Sequence, residues 1–195
     1  MKGQLIIISS PSGGGKDSVI RGLLDILPDS ARYLTTTTRP MRPGEKNGVD
    51  YHFVTRDEFE IMIKNDELIE YNIYADNYYG TEKNRLNELL NNHLIVFSNI
   101  EINGKKNFDK TGWKNVSIFL LPESLDILKQ RIIARGGLTD EAIAKRLDTA
   151  KKEIAESDIY DYKLVNYQGK LDETVAKTAE IIKTRLGLDI NEKLS

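Results

Sequence analysis

Ser10-Pro11-Ser12-Gly13-Gly14-Gly15-Lys16-Asp17-Ser18 decides the fold. A short β-branched run, residues 5–9, precedes it. A stretch with helical spacing follows at 17–27, where Val19, Ile20, Leu23, Leu24 and Leu27 share one face and Pro28 ends the pattern. Strand, glycine-rich turn and helix in that order form the setting of a phosphate-binding loop. Glycines let backbone N–H groups converge on phosphate oxygens, and the helix start adds partial positive charge. Lys16 is placed to reach a transferring phosphate. The usual pattern is Gly, four residues, then Gly-Lys-Ser/Thr; here Ser10 replaces the first glycine and Asp17 the hydroxyl residue.

Outward from the loop, short apolar runs at 94–98, 117–121 and 162–165 read as buried strands. Helical patterns at 122–134, 140–155 and 171–186 separate or follow them. Pro122 suits a first helical turn, and Thr139 is a cap for the 140–155 helix. Strands alternating with helices predict an α/β fold, a parallel sheet flanked by helices. Residues 35–85 break the rhythm. They are polar, with turn signals at Pro43-Gly44 and Asn47-Gly48, and read as an inserted subdomain. Residues 129–146 hold five Lys/Arg against two acids, around Gly136-Gly137.

The chain has 195 residues, enough to bury one core. With 28 Lys/Arg against 30 Asp/Glu the formal charge is −2, so no overall basic field exists for nucleic acid or an anionic membrane. The absence of cysteine excludes disulfides, thiolate metal sites and a Cys nucleophile. No apolar run approaches the roughly 18 residues a membrane span needs, and none resembles an export signal. A cytoplasmic location is expected. The oligomeric state, monomer or homodimer, is left open.

The ordered motifs resemble those of guanylate kinases, P-loop nucleoside monophosphate kinases, over nearly the whole length. Thr36-Thr37-Thr38-Arg39-Pro40-Met41-Arg42-Pro43-Gly44-Glu45 and Gly48-Val49-Asp50-Tyr51-His52-Phe53 are similar to that family's monophosphate-binding segment. So are Glu70 and Tyr78-Tyr79-Gly80-Thr81. Arg131, Arg135 and Arg146 are similar to its lid, and Tyr160-Asp161-Tyr162 to Val165-Asn166 to its last strand. The resemblance implies a core of residues 1–34, 86–128 and 149–195, a GMP-binding insert of 35–85 and a lid of 129–148. It implies transfer of a phosphoryl group from Mg·ATP to GMP or dGMP. ATP would lie on Ser10, Pro11, Ser12, Gly13, Gly14, Gly15, Lys16, Asp17, Ser18 and Asn166. GMP would lie on Thr35, Arg39, Arg42, Glu45, Tyr51, Glu70, Tyr79, Thr81 and Glu101. Arg39 and Arg42 are forks suited to a phosphate monoester, and Tyr51 and Tyr79 are phenol donors to it. Glu70 accepts from guanine N1–H and its exocyclic amine, a donor pair adenine lacks. Thr35 and Thr81 supply hydroxyls for the base. Lys16, Arg131, Arg135 and Arg146 are the expected catalytic cations.

Three positions depart from the family pattern. Asn99 and Glu101 stand where aspartates are expected, and Asn103 where glutamine is. A carboxylate is thus missing at 99 and present at 17, so Asp17, Ser18 and Asn99 form the expected Mg²⁺ side. Gly-Lys-Asp-Ser with Asn99 also resembles ribose 1,5-bisphosphate phosphokinases, which make phosphoribosyl diphosphate but generally lack the full Arg39, Arg42, Glu45 and Tyr51 set. Catalytically weak guanylate-kinase-like binding modules are a third reading. His52 and Trp113 are expected to be structural, His93 a surface residue in a helix–strand turn, and the lysines at 105, 106, 110 and 114 a solvated face.

Overall fold

The structure, a computed structural model, describes residues 3–134 and 136–188. Arg135, one of the expected catalytic cations, lies outside them. Strands β1 (Gln4–Ser9), β2 (Ser30–Arg32), β7 (Ile95–Ser98), β8 (Val116–Pro122) and β9 (Tyr162–Asn166) make a five-stranded sheet in the order β2-β7-β1-β8-β9. The registers Ser30↔Ile95, Ile6↔Val116 and Ile118↔Tyr162 are parallel. This is the predicted α/β architecture. Among the described residues no helix is long and apolar enough to cross a membrane.

Contacts divide the chain into two compact units. One comprises Ile6–Pro28 and Val116–Ser195. Its helices are α1 (Lys16–Ile26), α5 (Leu125–Ala134), α6 (Asp140–Ala155) and α7 (Leu171–Leu186). Ile6, Ile7 and Ile8 are fully buried, as are Val19, Ile20 and Leu23 on the predicted face of α1. Thr139 caps α6 as expected, accepting from the N–H of Ala142 at 3.3 Å. Asp161 fastens the start of β9 to β8: its Oδ2 accepts from both the N–H and the hydroxyl of Ser117 at 2.7 Å.

The other unit comprises Met1–Leu5 and Asp29–Asn115. It carries α2 (Arg56–Lys64), α3 (Lys83–Asn92), α4 (Ile102–Asp109) and a second, mixed sheet. That sheet orders β4 (His52–Phe53), β3 (Thr36–Thr37), β6 (Asn77–Glu82) and β5 (Leu68–Tyr74) as β4-β3-β6-β5. The threonine run has a structural use. Thr37 Oγ1 donates to the Tyr78 carbonyl at 2.8 Å, Thr38 Oγ1 accepts from the Tyr78 N–H at 2.9 Å, and Thr36 bonds Glu82. Strands β5 and β6 join through Ala75 and Asp76, both with positive φ, the two-residue turn whose twist suits a hairpin.

Two expectations are corrected. Pro122 does not begin a helix; it ends β8 opposite Asn166, and α5 starts at Leu125. A strand end tolerates a residue without an N–H. Lys105 is not on a solvated face: it is 4% exposed and pairs with Asp109 one turn on, at 2.5 Å. Trp113 packs edge-on against Phe108, and His93 ends α3 and pairs with Asp29 at 3.3 Å.

Helices α1 and α7 approach closely at Gly22, where a Cβ would lie 2.7 Å from Cγ2 of Val175. Alanine would favour the helix by about 1 kcal/mol, but overpacking a stiff valine costs about 1–3 kcal/mol. Gly22→Ala is therefore expected to lower the melting temperature by about 2–4 °C. In a Val175→Ala background the same substitution should raise it. Thermal denaturation of the parent, the two single variants and the double variant checks both signs.

Candidate functional site

The first constellation is the loop between β1 and α1. Ser10 is buried and its hydroxyl donates to the Pro11 carbonyl at 3.0 Å. That carbonyl also accepts the Gly14 N–H at 2.8 Å, which folds the loop back on itself. Gly13 and Gly15 hold φ of 88° and 92°, a region costly to residues with a Cβ. Gly13 has a second constraint: α5 lies over it, and a Cβ would sit 3.3 Å from Leu128 and Ile132. Lys16 opens α1, and its ammonium makes no ion pair among the described residues. Asp17 and Ser18 stand exposed on the first helical turn, where a carboxylate is favoured by the unsatisfied N–H groups.

Of the expected lid cations, Arg146 bonds a loop residue and Arg131 bonds residues at and after the end of β9. Arg146 Nη1 donates to Ser12 Oγ at 3.4 Å. Arg131 donates from Nε to Gln168 Oε1 at 2.8 Å and from Nη2 to the Asn166 carbonyl at 3.2 Å. Asn166 itself is buried, and its Nδ2 donates to the Gly14 carbonyl at 2.8 Å. The loop and its surroundings thus bring together every expected ATP residue that the sequence placed here.

The second constellation lies in the unit of the mixed sheet. Arg39 Nη2 meets Glu45 Oε1 at 2.8 Å, and Glu45 Oε2 accepts the Arg42 N–H at 2.8 Å. The pair is largely shielded, with side chains 11% and 18% exposed. The Arg39 bond holds the Glu45 carboxyl below its ordinary range, against a smaller effect of burial. The Arg39 guanidinium also stacks over Tyr51 at 5.3 Å and Phe53 at 5.4 Å. Tyr79 meets Tyr51 edge-on, with centroids 6.3 Å apart. Burial raises the Tyr79 phenol, Arg39 opposes that rise, and the Glu101 charge adds to it. Arg42 is exposed, so of the two forks only Arg39 is already oriented.

Glu70 and Thr81 face each other across the β5–β6 hairpin, where Glu70 Oε1 accepts from Thr81 Oγ1 at 2.7 Å. Counting back from the Ala75–Asp76 turn, equal arms bring these two residues opposite each other. Burial pushes the Glu70 carboxyl up to about 7, and the Thr81 hydroxyl draws it partly back. Thr35 Oγ1 is buried with no hydrogen-bond partner among the described residues. Such a group calls for a ligand or water. Asn99 follows β7, and Glu101 occupies the N-cap position of α4 without a side-chain capping bond.

Sequence reasoning missed Gly104. It lies inside α4, where a Cβ would stand 3.2 Å from Glu70 Oε2. A glycine within a helical pattern was the available signal, since it weakens the helix unless something approaches closely.

The guanylate kinase family model matches residues 2–185. The chain belongs to the guanylate kinase family. A guanylate kinase of Oceanobacillus iheyensis is 44% identical over 183 residues, covering 94% of this chain and 88% of the relative. The crystal structure of guanylate kinase from Anaplasma phagocytophilum superposes with a TM-score of 0.75 at 30% identity, covering 94% of this chain and 86% of that one. A shikimate kinase of Acinetobacter baumannii, at 16% identity and a TM-score of 0.52, shares the fold. Membership of the guanylate kinase family does not favour the ribose bisphosphate or binding-module readings.

The raised Glu70 carboxyl has a measurable consequence. Between its ordinary 4.5 and about 7 the folded protein binds more protons than the unfolded chain. Stability from this group is full below about 4.5 and is lost as the pH rises through about 7. Glu70→Gln should flatten that loss. Melting curves of parent and variant between pH 5 and pH 8 should diverge toward the alkaline end, the variant being the more stable there; parallel curves would refute the assignment.

Proposed function

We propose that the chain transfers the γ-phosphoryl group of Mg·ATP to GMP, and to dGMP, giving ADP and GDP. The observation that carries this is the buried Glu70 carboxylate set on Thr81. A carboxylate so placed accepts two parallel donors, which guanine offers and adenine does not. Rejecting the wrong base then follows from leaving a buried acceptor unpaired. Thr35, with its unpartnered buried hydroxyl, is the second contact for the base.

Arg39, held in place by Glu45, and the exposed Arg42 take the 5′-phosphate of GMP, with Tyr51 and Tyr79 as phenol donors. Glu101, whose charge is felt at Tyr79, lies on the same side. Residues 35–85 serve as the acceptor segment and 129–148 as the lid. The phosphate loop takes ATP through its N–H groups and Lys16. Arg131, Arg135 and Arg146 spread the charge of the transferring group; Arg131 and Arg146 would exchange their present partners for phosphate oxygens. No covalent intermediate is required, since positioning and charge stabilisation suffice. The same reading puts the enzyme in the cytoplasm.

The donors at the start of α1 fit a hard cation: a carboxylate at Asp17 and a hydroxyl at Ser18, both exposed. Among the described residues no cluster of three or more His, Cys, Asp or Glu would hold a metal by itself. That suits Mg²⁺, which is bound by one or two protein oxygens together with phosphates and water. Mg²⁺ would neutralise phosphate charge there, with Asp17 supplying the anion that Asn99 lacks.

An ADP-release assay with Mg·ATP and GMP, dGMP, AMP, UMP or ribose 1,5-bisphosphate tests the reading. Turnover is expected with GMP and dGMP. Turnover confined to the ribose bisphosphate, or none at all, would overturn it. Asp17→Ser is expected to raise the Mg²⁺ concentration giving half-maximal turnover; an unchanged requirement would remove Asp17 from the metal site.

A further inference from the structure

Asn166 ends β9 and is 4% exposed. Its Nδ2 donates to the Gly14 carbonyl, and its Oδ1 accepts from Thr174 Oγ1 at 3.0 Å. A carbonyl only accepts, so the amide orientation is fixed: nitrogen toward the loop, oxygen toward α7. Thr174 is the donor that holds that oxygen. It is 3% exposed, one turn before Thr178, which is fully buried and donates to the Thr174 carbonyl at 2.7 Å. Thr174 Oγ1 also lies 3.2 Å from the Lys170 carbonyl, so its single proton is shared between two acceptors.

The peptide joining Gly14 to Gly15 is trans, so its C=O and N–H point in opposite directions. Holding the Gly14 carbonyl on Asn166 therefore turns the Gly15 N–H the other way. Gly15 permits this only because it lacks a Cβ, which would lie 2.6 Å from Asn166 Nδ2. The Gly14 N–H is already committed to Pro11. One side-chain amide thus sets the direction of the next N–H in the loop.

We propose that Thr174 is a positioning residue for the phosphate loop: its hydroxyl fixes the Asn166 amide, which fixes the Gly14–Gly15 peptide with the Gly15 N–H presented to a bound phosphate. The inference rests on the reading of this loop as the ATP phosphate site. An N–H aimed in advance needs no reorganisation when the anion arrives. Without the hydroxyl, the Asn166 oxygen is buried with no donor, and the amide is free to rotate and release Gly14. The peptide can then turn its carbonyl toward the phosphate, which repels it.

Three variants on α7 test this. Thr174→Val keeps the shape and loses the hydroxyl, Thr174→Ser keeps the hydroxyl, and Thr178→Val removes a buried hydroxyl that does not reach Asn166. ATP affinity by calorimetry, KM for each substrate and melting temperature are measured on each. Thr174→Val is expected to weaken ATP binding about tenfold and to raise KM for ATP, leaving KM for GMP within about twofold. Thr174→Ser should restore ATP binding, and Thr178→Val should leave it at the parental value whatever its melting temperature. Should Thr174→Val fail to fold, Thr174→Ala removes the same hydroxyl and carries the same expectation. Parental ATP affinity without the hydroxyl, equal loss in the valine and serine variants, or equal loss in Thr178→Val would each overturn the proposal. A parent protein that does not bind ATP would instead sink the reading of the loop.

Discussion

Backbone N–H groups that are to meet a phosphate must be left without partners inside the protein, so the loop carrying them has to be held by all its other atoms. That constraint organises the unit built on β1 and α1. The Gly14 N–H is spent on Pro11, and the Gly14 carbonyl on Asn166. Gly13 is pressed by Leu128 and Ile132, and Ser12 is reached by Arg146. The N–H groups at the start of α1 have no intrahelical acceptors, as at any helix start. Rigidity is thus supplied from the flanks and openness is kept at the centre.

In the mixed-sheet unit the problem is the reverse. There a carboxylate, Glu70, is held inside the protein, and burial disfavours its charge. Thr81 offsets part of that penalty with one hydrogen bond, and the close approach of Gly104 limits the space around Glu70. Arg39 faces no such difficulty. Glu45 neutralises it, and the faces of Tyr51 and Phe53 shield it while leaving its direction fixed.

The sequence was most readable where one strong physical signal stood alone. Buried strands with three consecutive isoleucines, the apolar face of α1 and the Thr139 cap were found within a residue or two. The glycine-rich turn and the ordered arginine, tyrosine and acidic motifs pointed to both constellations. Strand β2 escaped notice because it has three residues, all half-buried, and no alternation. The β5–β6 hairpin was hidden by its turn, since Ala75-Asp76 lacks the Asn-Gly signature that positive φ usually brings. Lys105 was misread because charge says nothing of a helix face until its packing is known. Pro122 satisfied the rule for a helix start and the rule for a strand end equally well. The roles of Asn166, Gly104 and Thr174 depend on contacts between segments far apart in the chain, which no local pattern encodes.

The hairpin that carries Glu70 and Thr81 has a consequence for how such a site can change over time. Side chains on a strand alternate between faces, so the meeting of these two residues is a matter of parity counted from the turn. Substitutions along either arm leave the count intact. Gain or loss of one residue in a single arm would offset the two side chains and turn one of them to the opposite face. The sequence of this hairpin is therefore free to drift where its length is not, and a single-codon insertion would do more to the meeting of Glu70 and Thr81 than many replacements.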